Sequence, residues 1–550
     1  MPASRVAAKD SRRRRVVLRV RSRLGRIYVQ QRIRSILIVG GGTAGWLAAT
    51  YLNRALGDSV VISLVESSDI GRIGVGEATI PTLRFTMNFL GLKEEEWMPR
   101  CGATFKTGVK FVNWQGKGES FYHPFHERPE AFINPYGAPY YPVLGDGFSL
   151  MHFWLAKKLR GETVEPFAYA VSPGPTICDL RKSPRFQDNP RYEVPSAYHL
   201  DAAWVAAYLR EIGTGRGVKH VVDDVENVEL DARGFIARVH TKRSGALEAD
   251  LFLDCSGFRG LLVNQALKEE FVSDRPSLLC DSAVAMPARS NGERDGIAPY
   301  TMATALGSGW VWDIPLFNRR GCGYVYSSQF LTKEQAESEL RQFLGPSAEG
   351  MPPHHIAIRT GQNRRIWVNN CVSIGLSSCF IEPLESTGIF LVEFELAMLL
   401  TFFPDLSFDP VRRDGFNRAV RTLFEETRDF VLMHYVLSRR EDTPFWRAVK
   451  NETFVTEALK RKLESFRAHF PLLDGFDYAV FRARNYASIL AGMDCLPQGP
   501  YPIVEHLDPK LGDAALAAVK TRTRELVDNL PSHYEYLCKL YGHPPAPFEP

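Results

Sequence analysis

The first residues whose types and spacing specify chemistry are three glycines, Gly40, Gly42 and Gly45, spaced as G-x-G-x-x-G. The first permits a tight turn, the second lets a pyrophosphate approach the backbone, and the third lets a helix pack close to a strand. Thr43 and Ala44 fill the loop, and the free N–H groups and positive dipole end of the following helix would face the phosphates. Glu66 stands roughly twenty residues on, where an acid accepts hydrogen bonds from ribose hydroxyls. These residues predict a dinucleotide site but do not separate NAD from FAD. Two later stretches favour FAD: Ala249 to Asp254 leading into Cys255-Ser-Gly257, and Val372-Ser-Ile-Gly375. Each also fits an ordinary buried strand and turn.

The elements that must position these residues are legible in the apolar pattern. Ser35 to Val39 reads as a buried parallel strand, Trp46 to Leu56 as a helix and Val60 to Val65 as a second strand, together a βαβ unit. From about Phe394 the pattern changes. Phe416 to Ser438 and Pro509 to Leu540 have helical spacing, with loops expected at Pro471 to Asp477 and Pro497 to Ile503. The fold class expected is α/β: an FAD-binding module with a Rossmann-type βαβ unit and mixed sheets, followed by a mostly helical C-terminal substrate module. The expected division is a basic extension over 1–33, the FAD-binding module with inserted substrate segments over 34–400, and a substrate-covering module over 401–550.

Composition excludes other classes. Among 550 residues, 45% hydrophobic and 24% charged is the balance of a globular chain, not a disordered, collagen-like or coiled-coil one. The nine cysteines are scattered without a CxxC pair, which argues against a zinc ribbon and a secreted disulfide framework and fits a reducing cytoplasm; no metal site is expected. Residues 1–34 carry twelve Lys or Arg against one acid, which leaves 55 basic and 62 acidic residues in the rest. The body is thus mildly acidic. The N-terminal run, with Arg12 to Arg15 together, reads as a solvated tail, with a tether or targeting segment as the other readings. No apolar stretch is long enough to span a membrane, so neither membrane nor nucleic acid is an expected partner.

Several motifs together resemble one family, the flavin-dependent tryptophan halogenases. Gly40-Gly-Gly-Thr-Ala-Gly-Trp46 is similar to that family's FAD fingerprint. Gly74-Val-Gly-Glu-Ala-Thr-Ile-Pro81, which contains Gly76, resembles its loop beside the flavin. Trp310-Val-Trp-Asp-Ile-Pro315 matches its WxWxIP signature. Phe105-Lys106, ahead of Val109-Lys-Phe-Val-Asn-Trp114, matches the segment with its catalytic lysine. Ser377-Ser-Cys-Phe-Ile-Glu-Pro-Leu-Glu-Ser-Thr-Gly388 matches the segment with its catalytic glutamate and halide site. The similarity runs from about residue 34 to near the C-terminus.

The resemblance implies a cytoplasmic enzyme of natural-product biosynthesis. FADH2 from a separate flavin reductase, with O2 and chloride or bromide, gives hypohalous acid. This crosses a short tunnel and halogenates an indole ring, in tryptophan or a larger small-molecule or peptide substrate, by electrophilic aromatic substitution. A homodimer is a further expected assembly. Lys106 would hold or carry the electrophile, and Glu385 would stabilise the cationic ring or take its proton. Thr387 and Gly388 would offer backbone N–H groups to the halide, Gly375 and Gly76 would lie by the flavin, and Trp310 and Trp312 would wall it off. His123, Phe125 and Phe481 would stack on the indole, with Asn485 beside them. The plainer alternatives are a surface lysine at 106, a helix-terminal charge at 385, two core tryptophans on one strand face, and a satisfied histidine near a turn. A monooxygenase acting directly on an arene is the rival enzyme, and the Lys106, Glu385 and WxWxIP segments tell against it. A non-catalytic nucleotide-binding scaffold would leave those side chains unexplained.

The chain departs from the family between residues 471 and 486. Free-tryptophan members have a longer stretch there, rich in Tyr and Trp, with partners for the ammonium and carboxylate. Here the corresponding segment, Phe476 to Tyr486, is shorter and adds Arg482 and Arg484. Unpaired charges in a desolvated pocket cost several kcal/mol, so the expected substrate is an indole larger than, or lacking, the free amino-acid zwitterion.

Overall fold

Ser35–Val39 is apolar on both faces, and the structure buries both. Ile36 and Ile38 face one cluster, Leu37 and Val39 another, as a central parallel strand requires. In the computed structural model, which describes residues 31–68, 76–125, 150–186, 189–451, 454–470, 480–500 and 502–548, this strand is central to a six-stranded sheet. The order of that sheet is Trp367–Val368, Cys371–Ser373, Leu251–Asp254, Ser35–Val39, Val61–Glu66 and Lys219–Val222. All pairings are parallel except that of the Trp367–Val368 edge. Both FAD-favouring stretches are therefore strands of the glycine-loop sheet. The helix after the loop begins at Thr43, three residues earlier than expected, because Gly42 caps it and Thr43, Ala44 and Gly45 form its first turn.

A second sheet of seven strands runs His354–Ala357, Ser282–Arg289, Arg319–Tyr326, Gly309–Pro315, Thr301–Ala305, Gly108–Val112 and Ser120–Pro124. Along Gly309–Pro315 the side chains alternate: Trp310 and Trp312 enter the main core, while Val311 faces the cluster under helix Lys333–Leu344. A three-stranded sheet, Gly76–Ala78, Ala197–Asp201 and Thr104–Lys106, carries Lys106.

The C-terminal third is helical, as expected, but it is not set apart. Phe424, Phe430, Leu432 and Met433 of helix Pro410–Leu437 share one core with Trp310 and Trp312. The expected helix from Pro509 to Leu540 is two, Pro509–Asn529 and His533–Tyr541. Pro531 lies between them, and Ser532 with Glu535 forms a capping box that restarts the chain. At the other end, Ile33 is buried and the Leu406 N–H donates to the Gln31 carbonyl. The body thus begins before residue 34, while residues 1–30 lie outside the described residues. Residues 471–479, which include one expected loop, also lie outside them; in the other, residues 497–500 are irregular as expected, and Pro502–His506 forms a short 3-10 helix. Among the described residues no helix is long and apolar enough to cross a membrane, and no cluster of His, Cys, Asp and Glu could hold a metal. All nine cysteines are free thiols.

Candidate active site

Lys106 ends the short strand Thr104–Lys106, whose three residues are all buried, and pairs with Ala197. Its side chain is fully buried, so the surface-lysine alternative is excluded. The Nζ donates to Ser386 Oγ at 2.7 Å and to the Thr79 carbonyl at 3.1 Å, and lies 5.2 Å from the centre of the Phe125 ring. Burial pulls its pKa down to about 7, against an upward pull from the Glu385 charge. Ammonium and amine are thus both accessible near neutrality.

Glu385 stands one residue before the serine that receives Lys106. It too is buried, so it is not a solvated helix-end charge. His123 Nδ1 lies 2.9 and 3.0 Å from its two oxygens, and His434 Nε2 lies 2.8 Å from Oε1. Burial raises its pKa, but His123 and then His434 outweigh this and hold it at about 2. A chain of hydrogen bonds orients the pair. Arg482 N–H donates to Asn485 Oδ1, Asn485 Nδ2 donates to His123 Nε2, and His123 then donates from Nδ1 to Glu385. His434 sits between two acceptors, its Nε2 beside Glu385 and its Nδ1 2.8 Å from the Phe430 carbonyl.

Ser386 sits at φ +61°, a left-handed conformation rare for residues with side chains. It turns the chain into helix Gly388–Thr401, whose N-cap Thr387 makes no side-chain capping bond. A Cβ on Gly388 would meet nothing within 4 Å. The open helix N-terminus beside Lys106 and Ser386 is suited to an anion. Three residues before Glu385, Glu382 accepts from Trp310 Nε1 at 2.8 Å and from Tyr435 Oη at 2.7 Å.

The glycine loop borders a separate cavity of about 420 Å³, lined by Gly40, Gly42, Thr43, Glu66, Asp223 and Arg259 among others. Gly40 sits at φ +114°, and a Cβ there would lie 2.2 Å from the Cys255 carbonyl oxygen. A Cβ on Gly45 would lie 1.9 Å from the Gly40 oxygen. On Gly42 it would meet nothing within 4 Å, which leaves room for a pyrophosphate at the helix terminus. Glu66 folds over Gly41 and pairs with His220 at 2.9 Å. These features fit a dinucleotide. Ala44 and Gly375 support the loop from behind, a Cβ on Gly375 coming 2.9 Å from that of Ala44. Gly76 packs elsewhere, against Gly321 and Ile314.

Comparison with known sequences and folds gives this arrangement its context. The tryptophan halogenase family profile matches residues 35–509. The chain belongs to the tryptophan halogenase family. It is 41% identical to the tryptophan 6-halogenase ThaL of Streptomyces albogriseolus, over 94% of this chain and 100% of that one. It is 43% identical to the tryptophan 7-halogenase RebH of Lentzea aerocolonigenes, over 93% of this chain and 99% of that one. The crystal structure of the tryptophan 6-halogenase SttH of Streptomyces toxytricini superposes with a TM-score of 0.85 at 40% identity, over 92% of this chain and 100% of that one. The chain is therefore an enzyme of the halogenase fold.

In this halogenase the fold brings together Lys106, Glu385, His123, Phe125, Asn485, Thr387 and Gly388 from across the chain. Phe481 stacks one face on Phe430 at 3.8 Å and 13°, with the His123 ring centre 6.5 Å away. His123 spends its polar atoms on Glu385 and Asn485, and Asn485 spends its own on His123 and the Arg482 N–H. Sequence reasoning missed Thr79, Ser386, Phe430, His434, Glu382 and Tyr435. Ser386 and Glu382 lie inside the motif that supplied Glu385. Phe430 and His434 are four apart on one helix face, which reads in sequence as ordinary core.

Proposed function

We propose that this enzyme is an FADH2-dependent halogenase that places chlorine or bromine on the indole ring of a tryptophan-bearing substrate. The observation that carries the reading is the Lys106–Ser386–Glu385 constellation, buried and distinct from the glycine-loop cavity. Gly40, Gly42, Thr43 and Glu66 would hold FAD, which when bound and reduced activates O2 toward halide and so supplies hypohalous acid. A separate flavin reductase would supply the reduced cofactor. Thr387 and Gly388 offer backbone N–H groups to the halide at the open helix terminus.

Lys106 does the positioning. As ammonium it donates to the oxygen of hypohalous acid; as amine it can take the halogen and release water. Either keeps the electrophile at one point, and so selects one ring carbon. Glu385, held at about 2, is charged at neutral pH and acts first through its field, stabilising the cationic ring. The C–H of that cation is acidic enough for a weak carboxylate base to accept its proton. Because His123 and His434 both donate to it, Glu385 cannot turn away from the chamber.

The 6- and 7-halogenases stand at 41% and 43% identity, so identity does not choose the ring position. Their names favour tryptophan, while the short 471–486 stretch favours an indole without the free zwitterion. We take the indole of tryptophan within a larger molecule as the substrate. Steady-state comparison of free tryptophan, indole and a tryptophan-containing peptide tests it. The highest kcat/KM is expected for the peptide, and a clear preference for free tryptophan would overturn the assignment.

A further inference from the structure

Glu382 is a buried acid that the mechanism above does not use. It is 1% exposed and joins three segments. It lies on the loop that bears Glu385, accepts from Trp310 of strand Gly309–Pro315, and accepts from Tyr435 of helix Pro410–Leu437. The neighbouring residue on that helix, His434, grips Glu385 itself. Two consecutive helix residues thus hold two glutamates three positions apart. The two grips differ in kind. Glu385 faces imidazoles, whereas Glu382 faces only neutral donors, and its Oε1 is buried with no hydrogen-bond partner. The other titratable groups facing it are Tyr435 and Cys280, whose Sγ lies 3.7 Å from the Tyr435 hydroxyl; burial pushes both well up, so both are neutral. A carboxylate ion with one bare oxygen in such surroundings is disfavoured. Burial accordingly pushes Glu382 up to about 7, against the downward pull of its two hydrogen bonds.

We propose that Glu382 is a positioning residue: by accepting from both Trp310 and Tyr435 it pins the Trp310 indole to the long helix, fixing the tryptophan wall and the Glu385–Ser386 turn in one arrangement. The inference rests on the halogenase reading, in which the electrophile must reach Lys106 without escaping. Loosening the pin should therefore show as leakage rather than as loss of cofactor.

The test compares Glu382→Gln, Glu382→Met and wild type with reduced FAD, O2, bromide and an indole substrate. Brominated product per flavin oxidised is measured, with free hypobromite caught by a 1,3-diketone trap. Gln keeps an acceptor for both donors and should stay within about twofold of wild type. Met keeps the volume but not the acceptor. It should lose about tenfold in product per flavin, with trapped hypobromite rising and FAD affinity unchanged. Tyr435→Phe removes one donor only, and should give the same leakage more weakly should Glu382→Met fold poorly. If Glu382→Met and Tyr435→Phe couple as wild type does, or if Glu382→Gln leaks as much as Met, the inference is overturned. A wild type that brominates no indole overturns the function and the inference with it.

Discussion

The glycine-loop cavity and the Lys106 chamber solve opposite problems. The cavity is built from backbone: Gly40 and Gly45 allow contacts no side chain would permit, and Gly42 leaves space. The chamber is built from buried charge: a lysine held down near 7, a glutamate held down near 2, and two histidines bonded to that glutamate. The first is a receptacle for something large that arrives with its own reactivity. The second is pre-organised, and its side chains are committed before any ligand enters.

The sharpest break of this comparison is at the loop. Gly42→Val should fold normally, because its Cβ meets nothing, yet lose FAD and with it all activity. Gly40→Ala should instead fail to fold, as its Cβ would overlap Cys255. Flavin fluorescence and thermal melting separate the two outcomes. In the chamber, Glu385→Gln should retain FAD but lose activity by about 10² to 10³, since an amide N–H would oppose the histidine donors.

A smaller break is His434→Phe, which removes one donor to the Glu385 carboxylate. A hydrogen bond to a charged group contributes about 1.5–3 kcal/mol, so kcat should fall by a factor of roughly ten to a hundred. An unchanged kcat would show that His123 suffices.

Lys106→Met bears on stability rather than rate. Lys106 is lowered from 10.5 to about 7 in the fold, so the unfolded chain binds its proton more tightly. The destabilisation is fully present below pH 7 and fades as pH rises toward 10.5. Lys106→Met should raise the melting temperature by about 1 °C or more at pH 6, and by less at pH 9. A gain that is equal at both pH values would place the ammonium in water.

The smallest effect is expected at the N-terminus. Removing residues 1–30 should leave activity and melting unchanged. Extending the deletion through Ile33 should lower the melting temperature, because Ile33 is buried and Gln31 receives the Leu406 N–H. Activity lost on removing 1–30 alone would instead support a docking role for the basic run.

The two regions also differ in how far they can be read from sequence. The dinucleotide loop is local: strand, glycines, helix and acid fall within Ser35 to Glu66, and each residue type states its own reason. The chamber is assembled over residues 79 to 485. Its anchors, Lys106 and Glu385, emerged only through resemblance, since a lone lysine or glutamate carries no spacing signal. His434 and Tyr435 stayed hidden because a histidine or tyrosine in an apolar helix is ordinarily core. The stacking of Phe481 on Phe430, four positions before His434, is likewise a tertiary contact that sequence does not show. Boundaries were missed where local chemistry overrode periodicity: Pro531 with Ser532 split one expected helix, and Gly42 started another early.

The measurement that bears most directly on the separation of the two regions is made on Lys106→Ala. Reduced enzyme is mixed with O2, bromide and an indole substrate, and flavin reoxidation and brominated product are followed together. Reoxidation at the wild-type rate, FAD retained, and no brominated product are predicted, because Lys106 acts after the flavin chemistry. Brominated product at the wild-type yield would contradict the assignment of the chamber to halogen transfer.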